Sequence, residues 1–381
     1  MKIDDKKSLK SPSLRFPEFN GEWKNTTLEE CVDFLDGQRK PIKSDDRKGE
    51  KRLYPYYGAS GIIDYIDEYI FDGDYILLSE DGANIIDRNY RVAFIANGKI
   101  WVNNHAHVLQ PHKEMNINFL SEALERINYA IYNTGTTMPK LNQEICRKIN
   151  LNVPSLSEQN KIGNLLYLLN ERIATQNRLI EDLKKLSCAI VEKMFKQSKT
   201  NGRLGDFIEQ VSVRNKNGLY SNVLSVSNKQ GFVKQSEQFE DRTVASEDTS
   251  NYKIVKRNNF AYNPARINVG SIARLTKFDV GIVSPMYVCF RTKDGIIPEY
   301  MEAFFTSQQF FYEMMKRLEG SVRLCLSYEG LCNIPVYIPN MNKQIVMGQN
   351  ISLILSKIGL EIEYLGRLHQ QKQYLLRKMF I

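Results

Sequence analysis

Two stretches of this 381-residue chain decide its fold. Residues 154–195 read PSLSEQNKIGNLLYLLNERIATQNRLIEDLKKLSCAIVEKMF, and residues 339–380 read PNMNKQIVMGQNISLILSKIGLEIEYLGRLHQQKQYLLRKMF. Counterparts lie 185 positions apart, and this alignment extends without a gap to residues 133–195 and 318–380. Its identities include Gly135 with Gly320, Leu141 with Leu326, Glu144 with Glu329, Ile149 with Ile334, Pro154 with Pro339 and Gln159 with Gln344. Repetition over this length indicates one structural plan used twice.

Upstream of this alignment the two halves resemble each other only weakly. Residues 28–31 (LEEC) loosely match residues 204–207 (LGDF), at an offset of 176. The chain therefore reads as variable, common, variable, common. The predicted segments are an N-terminal leader (1–21), a first variable domain (22–155), a first helical spacer (156–200), a second variable domain (201–340) and a second helical spacer (341–381).

Each common segment carries a heptad stripe, the set of positions that keeps one face of a helix apolar. In the first segment the stripe is Ile162, Leu166, Leu169, Ile173, Gln176, Ile180, Leu183, Ser187, Ile190 and Met194. In the second it is Met347, Ile351, Ile354, Ile358, Glu361, Leu365, Leu368, Lys372, Leu375 and Met379. The polar exceptions fall at equivalent places, Gln176 with Glu361 and Ser187 with Lys372. The pattern predicts two equally long helices.

Two such helices can bury their stripes against each other. Residues 201–340 must fit between the end of one helix and the start of the next, and antiparallel packing allows this with one domain at each end. We therefore expect an antiparallel coiled coil with a pseudo-twofold internal repeat. One register would place Gln176 opposite Lys372 and Ser187 opposite Glu361, so that polar residues meet in both layers.

The variable segments are predicted to be mixed α and β. Residues 74–79, 91–96 and 270–275 are short, rich in apolar residues and bounded by turn residues, as strands are. Asn97-Gly98 is typical of a hairpin turn. The expected fold class is α+β, with two mixed domains separated by two long helices. The alternative is an αα-hairpin of an all-α protein, which these strands disfavour.

Composition limits the environment and the partners. The formal net charge is +8, which mildly favours a polyanionic partner. The first twenty residues do not resemble a secretory signal, and no apolar run approaches the ~20 residues that span a bilayer. None of the six cysteines forms a Cys-x-x-Cys pair. We expect a cytoplasmic protein with reduced cysteines in its core.

Short strings of the sequence resemble one family. The strings are LRFPEF at residues 14–19, GEW at 21–23, YYGASG at 56–61, GTTMPKL at 135–141, AYNPARINVGSI at 261–272 and GSVR at 320–323. Pro-x-x-x-x-Gln occurs twice, at Pro154 with Gln159 and at Pro339 with Gln344. In this order and at this repeat spacing, they resemble the specificity subunits of type I DNA restriction-modification enzymes. The resemblance covers nearly the whole chain.

This resemblance implies a DNA reader without a catalytic centre. Each variable segment would be a target recognition domain that reads one half of a split, asymmetric sequence in double-stranded DNA. The helices would set the separation of the halves and dock two modification (methyltransferase) subunits. Adenine methylation and ATP-driven cleavage would come from the modification and restriction subunits. S-adenosylmethionine, ATP and Mg²⁺ would accordingly be bound by the partners and not by this chain.

Three groups of residues are candidates for DNA contact, because Lys and Arg bind phosphates while Arg, Asn, Ser and Thr also reach base edges. The first is the basic run of Arg39, Lys40 and Lys43, followed by Arg47, Lys48, Lys51 and Arg52. The second is the repeated glycine loop, with Thr136, Thr137 and Lys140 in one copy and Ser321 and Arg323 in the other. The third is Asn263, Arg266 and Asn268. Solvated loop charges are the alternative for the first group, and turn capping for the third.

Catalytic signals are weak. Residues 263–266 (NPAR) resemble the Asn-Pro-Pro-aromatic motif of amino-methyltransferases but lack its second proline and its aromatic residue. No phosphate-binding Gly-x-x-x-x-Gly-Lys-Ser/Thr motif occurs. His105, His107 and His112 could suggest a metal, but structural histidines are favoured because no cysteine or clear carboxylate partner is near. No catalytic residue is predicted. The alternatives are a coiled-coil scaffold that binds only proteins, or a methyltransferase or nuclease chain.

Overall fold

The computed structural model describes residues 11–47, 51–196, 199–228, 230–238, 248–321 and 323–381. The chain divides into two compact units. Unit 1 comprises Met1–Asn177 together with Tyr364–Ile381, and unit 2 comprises Arg178–Glu363. Each unit therefore contains part of both long helices.

Unit 1 is built on a six-stranded sheet. The strands of unit 1 are β1 (Lys24–Thr27), β2 (Val32–Phe34), β3 (Tyr54–Gly58), β4 (Gly61–Ile66), β5 (Phe71–Ser79), β6 (Ala93–Val102), β7 (Ala106–Pro111) and β8 (Asn150–Val153). Its short helices are α1 (Asn84–Asp87), α2 (Ile117–Glu125) and α3 (Gln143–Arg147), and α4 (Leu156–Lys196) follows. The sheet order is β2-β7-β5-β6-β3-β4, and β1 pairs separately with β8. The predicted strand at residues 74–79 is confirmed within β5, and residues 93–96 of the next prediction lie in β6.

Strand β5 lies at the centre of this unit because both of its faces are covered. Ile76 and Leu78 belong to the core that includes residues of α2 and α4. Tyr75 and Leu77, which point to the opposite face, belong to a second cluster. A strand covered on both faces has a continuous apolar run, as residues 75–78 do.

The predicted hairpin turn at Asn97-Gly98 is wrong, because β6 continues through both residues. Gly98 has φ +75 and pairs with Gly73, whose φ is +155. The Asn97 side chain donates to Asp74 Oδ1 across the pair at 2.7 Å. The glycine therefore accommodates an irregular position inside a strand and does not reverse the chain.

The described residues of unit 2 form a four-stranded sheet and three strand pairs. Its strands are β9 (Gly202–Arg203), β10 (Ile208–Gln210), β11 (Leu224–Ser227), β12 (Gly231–Lys234), β13 (Lys253–Lys256), β14 (Phe260–Tyr262), β15 (Ile272–Arg274), β16 (Val280–Val283), β17 (Val288–Thr292) and β18 (Pro335–Val336). Its helices are α5 (Leu204–Phe207), α6 (Gln235–Gln238), α7 (Pro298–Phe305), α8 (Gln308–Met315) and α9 (Tyr328–Cys332), followed by α10 (Met341–Met379). The sheet order is β10-β17-β14-β15. Strand β15 confirms the strand predicted at residues 270–275.

The internal repeat is visible in the hydrogen bonds. Leu28 N donates to Ile149 O in unit 1, and Leu204 N donates to Ile334 O in unit 2, both at 2.9 Å. These pairs combine the 176 and 185 offsets found in the sequence. The two halves therefore share one backbone plan even where their side chains differ.

Gln159 and Gln344 make the same contacts at the start of the two long helices. Each Nε2 donates at 3.0 Å to the carbonyl of the proline five residues earlier. Each Oε1 accepts at 2.9 Å from the backbone N just before a domain helix, Asn116 N before α2 and Ile297 N before α7. The repeated Pro-x-x-x-x-Gln string is thus a buried joint between a domain and its helix.

Each long helix also ends on a domain core. Phe380, which directly follows α10, stacks on Phe119 of α2 with ring centroids 5.2 Å apart. The ring centroid of Phe195, near the end of α4, lies 5.4 Å from that of Tyr300 of α7. Phe195 and Phe380 are counterparts in the repeat. Each unit is therefore held by the start of one helix and the end of the other.

Within unit 1, α4 and α10 run antiparallel. Ile162 and Leu166, near the start of α4, share a core with Phe380, which directly follows α10. Further along α4, Arg172 lies over the ring of Tyr364, which is sixteen residues before Phe380. In unit 2 the corresponding core combines Val191 and Phe195 of α4 with Ile351 of α10. The expected two-domain fold with two long antiparallel helices is confirmed.

All twenty residues of the two heptad stripes are buried or half-buried, whereas most other residues of α4 and α10 are exposed. The polar exceptions Gln176 and Ser187 are buried like their apolar neighbours. Lys372 Nζ lies 3.1 Å from Glu122 Oε1 of α2, a partner that the sequence did not suggest. The facing of Gln176 with Lys372 stays a prediction.

The sequence predicted that no apolar run is long enough to span a bilayer, and helix α10 does not fit this prediction. Within the part of the chain that the structure describes, it is the one helix that is long and apolar enough by length and composition. Its apolar residues form the stripe and, in addition, an outer row that is exposed and follows heptad spacing. We call Val346, Leu353, Leu360 and Tyr374 the outer row.

Candidate nucleic-acid interface

The repeated glycine loop has the same frame in both units. Thr134 N donates to Lys140 O at 2.8 Å, and its counterpart Glu319 N donates to Cys325 O at 2.9 Å. The residue that ends each loop then donates to the chain just after a core strand. Leu141 N donates to Glu80 O at 2.7 Å, and Leu326 N donates to Pro264 O at 3.1 Å. The loop is therefore fixed at the same edge of each domain.

The glycine in each loop is required by close packing. A Cβ on Gly135 would collide with the carbonyl oxygen of Met138, and a Cβ on Gly320 would collide with that of Arg323. Gly320 has φ +117, which also disfavours other residues. Met138 and Arg323 are counterparts, so the same tight turn presents different side chains. Thr136, Thr137 and Ser321 are exposed on these loops, while Val322 lies outside the described residues.

In unit 2 the structure brings together two groups that the sequence had separated. An open groove of about 890 Å³ is lined by Asn263, Arg266 and Asn268 and also by Arg323 of the glycine loop. Tyr287, from the turn between β16 and β17, lines it as well. Ser321 does not line the groove. The groove combines guanidinium, amide and hydroxyl groups on a concave surface.

Asn263 has the turn-capping role that the sequence left open. Its Oδ1 accepts from Ala265 N at 3.1 Å, and its carbonyl accepts from Arg266 N at 3.0 Å. The turn directs Arg266, which is exposed, away from the core. Asn263 thus shapes the groove wall and lines it at the same time.

The equivalent surface of unit 1 is more acidic. Lys140 Nζ lies 3.5 Å from Glu80 Oε1, and His105 Nδ1 lies 2.9 Å from Asp81 Oδ2. Glu80 and Asp81 directly follow β5, at the place that Pro264 and Ala265 occupy after β14. The candidate residue Lys140 is therefore held by a carboxylate, whereas Thr136 and Thr137 point to solvent.

Arg39 does not fit the predicted phosphate-binding loop. Its Nη1 donates to Glu80 Oε2 and to Ala106 O, both at 2.7 Å, and its Nε donates to Asp36 O at 3.1 Å. Only 13% of the side chain is exposed. The guanidinium therefore stabilises the domain interior and is not available to a phosphate.

Lys40 and Lys43 are exposed, as a phosphate contact requires, and their role stays a prediction. Arg47 of the same run stacks on Tyr56, with its Cζ 4.5 Å from the ring centroid, and its Nε donates to Ile42 O. Lys48 lies outside the described residues. The basic run is thus partly structural.

A buried histidine lies beneath the glycine loop of unit 1. His107 Nδ1 is 2.6 Å from Asp36 Oδ2, and its Nε2 is 2.8 Å from Leu141 O. Burial opposes the charged imidazolium, but the hydrogen bonds to Asp36 and Cys146 outweigh it and raise the pKa of His107 to about 10. The imidazolium therefore donates at both nitrogens and fastens Leu141, the end of the loop, to the core.

The other two histidines of this region have separate carboxylate neighbours. His105 lies beside Asp81, and His112 Nε2 is 3.3 Å from Asp33 Oδ1. Among the described residues, no three His, Cys, Asp or Glu side chains are arranged to hold a metal ion. Sequence reasoning missed the carboxylate partners of the histidines. Asp36 and His107, for example, are 71 residues apart, and no local pattern links them.

Another missed group is Glu122 of α2, whose side chain is 3% exposed. Arg91 Nη1 donates to it at 2.7 Å, Asn170 Nδ2 of α4 donates at 2.8 Å, and Lys372 of α10 donates at 3.1 Å. Burial raises its pKa, but the nearby Arg91 and Lys372 cations lower it more, so the pKa lies below its usual value. The carboxylate joins the domain to both long helices.

Comparison with known proteins shows which proteins this chain resembles. Residues 20–185 match the family model of the type I restriction modification DNA specificity domain. A putative type I restriction enzyme specificity subunit of Haemophilus influenzae is 35% identical over 145 residues, which are 38% of this chain and 36% of that protein. The type I restriction enzyme EcoprrI specificity subunit of Escherichia coli is 29% identical over 154 residues, 40% of this chain and 37% of that protein. These alignments span little more than a third of each relative.

The solved structures extend the likeness to the whole chain. The S subunit of the type I restriction-modification system of M. genitalium has a TM-score of 0.68 and 18% sequence identity, and the match covers 97% of this chain and 99% of that chain. At this identity the likeness establishes the fold. Both units and both long helices are therefore parts of one known architecture.

Proposed function

We propose that this chain, whose residues 20–185 match the family model of the type I restriction modification DNA specificity domain, is the specificity subunit of a type I restriction-modification complex. Each unit reads one half of a bipartite, asymmetric target in double-stranded DNA. The chain binds DNA and contributes no catalytic residue.

The repeated loop frame is the observation that carries this proposal. Two loops with the same hydrogen bonds and the same glycine contact stand at the same edge of two copies of one fold. A repeated frame with variable side chains suits two readers that bind DNA in the same way but recognise different bases. Met138 and Arg323 at equivalent places support an asymmetric target.

The long helices suit a role in spacing the two halves. Helix α4 has 41 residues and α10 has 39. At 1.5 Å per residue each is roughly 60 Å long, and B-DNA advances about 34 Å per turn. Helices of this length can separate two readers by more than one turn of DNA and thus fix an unread spacer.

The helices also offer surfaces to the modification subunits. Leu168 of α4 and its counterpart Leu353 of α10 are 57% and 69% exposed. In α10 the outer row continues this exposure along the helix. Exposed apolar rows on a folded protein favour a protein partner, and equivalent residues on both helices suit two copies of the same subunit.

The catalytic chemistry then belongs to the partners. We assign S-adenosylmethionine to the modification subunits, and ATP and Mg²⁺ to the restriction subunits. We also assign the assembly to the cytoplasm, where the six free cysteines of this chain would stay reduced.

The test is to map the adenine methylation of a host genome. The chain is expressed with its cognate modification subunits in a host that lacks other adenine methyltransferases, and N6-methyladenine is mapped in the host DNA. We expect one bipartite motif with a fixed spacer, and we expect it to disappear when this chain is omitted. A contiguous motif, or methylation that does not depend on this chain, would contradict the proposal.

A further inference from the structure

The glycine loops of the two units carry different residues at the equivalent tip position. Unit 1 presents Met138, which is 59% exposed, on the turn that Gly135 makes possible. Unit 2 presents Arg323 on the matching turn at Gly320. In unit 2 a second arginine, Arg266, lines the same groove from the turn that follows β14. Gly82 is its approximate counterpart in unit 1, so unit 1 lacks arginine at both places.

These two arginines also differ from other arginines of unit 2. Arg274 is ion-paired with Glu299 and Glu302, and Arg257 is ion-paired with Asp279. Arg266 and Arg323 have no carboxylate within ion-pair distance among the residues that the structure describes. Their donors are therefore open to a ligand in the groove.

The surroundings of the two arginines favour a base over a phosphate. A point charge on a convex surface can bind a phosphate, whereas Arg266 and Arg323 line one concave groove together with Asn263 and Asn268. The planar guanidinium matches the O6 and N7 acceptors of guanine in the major groove, and an amide matches adenine. The close contact between Gly320 and the Arg323 carbonyl fixes the backbone from which Arg323 projects.

We propose that Arg266 and Arg323 read guanine bases through the major groove, so that the half-site bound by unit 2 contains guanine at the contacted positions. This inference rests on the proposed function and specifies the base class for one of its two sites. It also predicts that unit 1, with Met138 at the tip, does not use this guanine contact.

The test uses the full chain in complex with its modification subunits and a duplex that carries the methylated motif. Each guanine in turn is replaced by 7-deazaguanine, which keeps base pairing but removes the N7 acceptor. For the wild-type complex we expect binding to weaken about 5-fold or more at guanines of one half only.

The variants are Arg266→Ala and Arg323→Met, the second of which copies the tip residue that the same turn carries in unit 1. Each should weaken binding to the unmodified duplex about 5-fold or more and should abolish the effect of 7-deazaguanine at one position of that same half. Arg257→Ala is the matched control, because Arg257 is 52% exposed but paired with Asp279, and it should bind like the wild type.

Phosphate contacts would give a different result. If both variants weaken binding to every duplex equally, reduce its salt dependence and keep the full response to 7-deazaguanine, the inference is overturned. It is also overturned if the half whose selectivity the variants change contains no guanine. Absence of any bipartite motif would instead overturn the proposed function, so the two failures are distinguishable.

Discussion

At the scale of single residues, unit 1 places charged groups beneath its glycine loop as well as on it. In unit 1, Asp36, His107, Arg39 and Glu80 form a connected set of ion pairs and hydrogen bonds under the glycine loop. Burial makes such a set costly unless every member is paired. The loop position therefore depends on residues whose side chains are largely buried.

His107→Asn should destabilise unit 1 by about 3 kcal/mol, because the largely buried Asp36 would lose the imidazolium 2.6 Å away and keep only the more distant Arg39 guanidinium at 3.6 Å. Both tryptophans, Trp23 and Trp101, lie in the cores of unit 1, so their fluorescence during urea unfolding reports this unit. A midpoint equal to that of the wild type would contradict the assigned role.

The same residue predicts a dependence on pH. The pKa of His107 is raised to about 10, above its unfolded value of 6.5. The stabilisation is therefore fully present below pH 6.5 and is lost as the pH rises from 6.5 through about 10. The fluorescence-detected stability of the wild type should fall over this range more steeply than that of His107→Asn. Parallel pH profiles for the two proteins would contradict this prediction.

At this scale the sequence predicted candidates but not their partners. Arg39 looked like a phosphate contact because it stands in a basic run, yet Glu80, 41 residues away, occupies its guanidinium. By contrast, Arg323 was a candidate because the glycine loop repeats, and the structure places it on the wall of the groove in unit 2. Local signals predicted side chains on turns, whereas ion pairs between distant segments needed the fold.

At the scale of elements, two glycines allow the domains to approach the long helices closely. A Cβ on Gly163 of α4 would collide with Asn116, just before α2. A Cβ on Gly348 of α10 would lie 2.8 Å from Glu299 Cβ and 3.0 Å from Tyr300 N of α7. The two glycines are counterparts in the repeat, so both joints have the same constraint.

Gly163→Ala should destabilise unit 1 by about 1–3 kcal/mol, because the helix and the α2 terminus must move apart. Gly366→Ala is the control in the same unit, since nothing lies within 4 Å of its added Cβ. It should raise stability by about 0.5–1 kcal/mol through helix propensity. Tryptophan fluorescence during urea unfolding measures both changes, and equal effects of the same sign would contradict the close-packing argument.

Heptad periodicity predicted the two helices and their buried faces almost completely, because that pattern is local and long. The turn signal Asn97-Gly98 failed because Gly73, on the neighbouring strand, pairs with Gly98 and extends the ladder through it. A dipeptide reports only its own backbone preference, while the sheet decides whether the chain reverses. Pairings such as β3 with β6 were likewise beyond the sequence.

At the scale of the whole molecule, the C-terminal end of each long helix stabilises the unit that contains the start of the other long helix. Phe380 belongs to the core of unit 1, and Phe195 belongs to the core of unit 2. Truncating a buried phenylalanine costs about 3–5 kcal/mol. The two substitutions should therefore weaken different units.

Hydrogen exchange can separate these effects, because it reports local stability in each unit. Phe380→Ala should raise the exchange rates of the most protected β5 amides by about 100-fold or more and leave β14 unchanged. Phe195→Ala should do the reverse. If Phe380→Ala affects only unit 2, or both units equally, then the end of α10 does not stabilise unit 1 specifically and this interpretation is contradicted.

The measurement that tests the account most directly is the spacer of the methylated motif after both helices are lengthened. Inserting one heptad into the middle of α4 and one into the middle of α10 keeps both stripes in phase and adds roughly 10 Å to each helix. We predict that both half-sites stay the same while the unread spacer grows by about 3 base pairs, at 3.4 Å per pair. An unchanged spacer with both halves still methylated would contradict the claim that these helices set the distance between two readers.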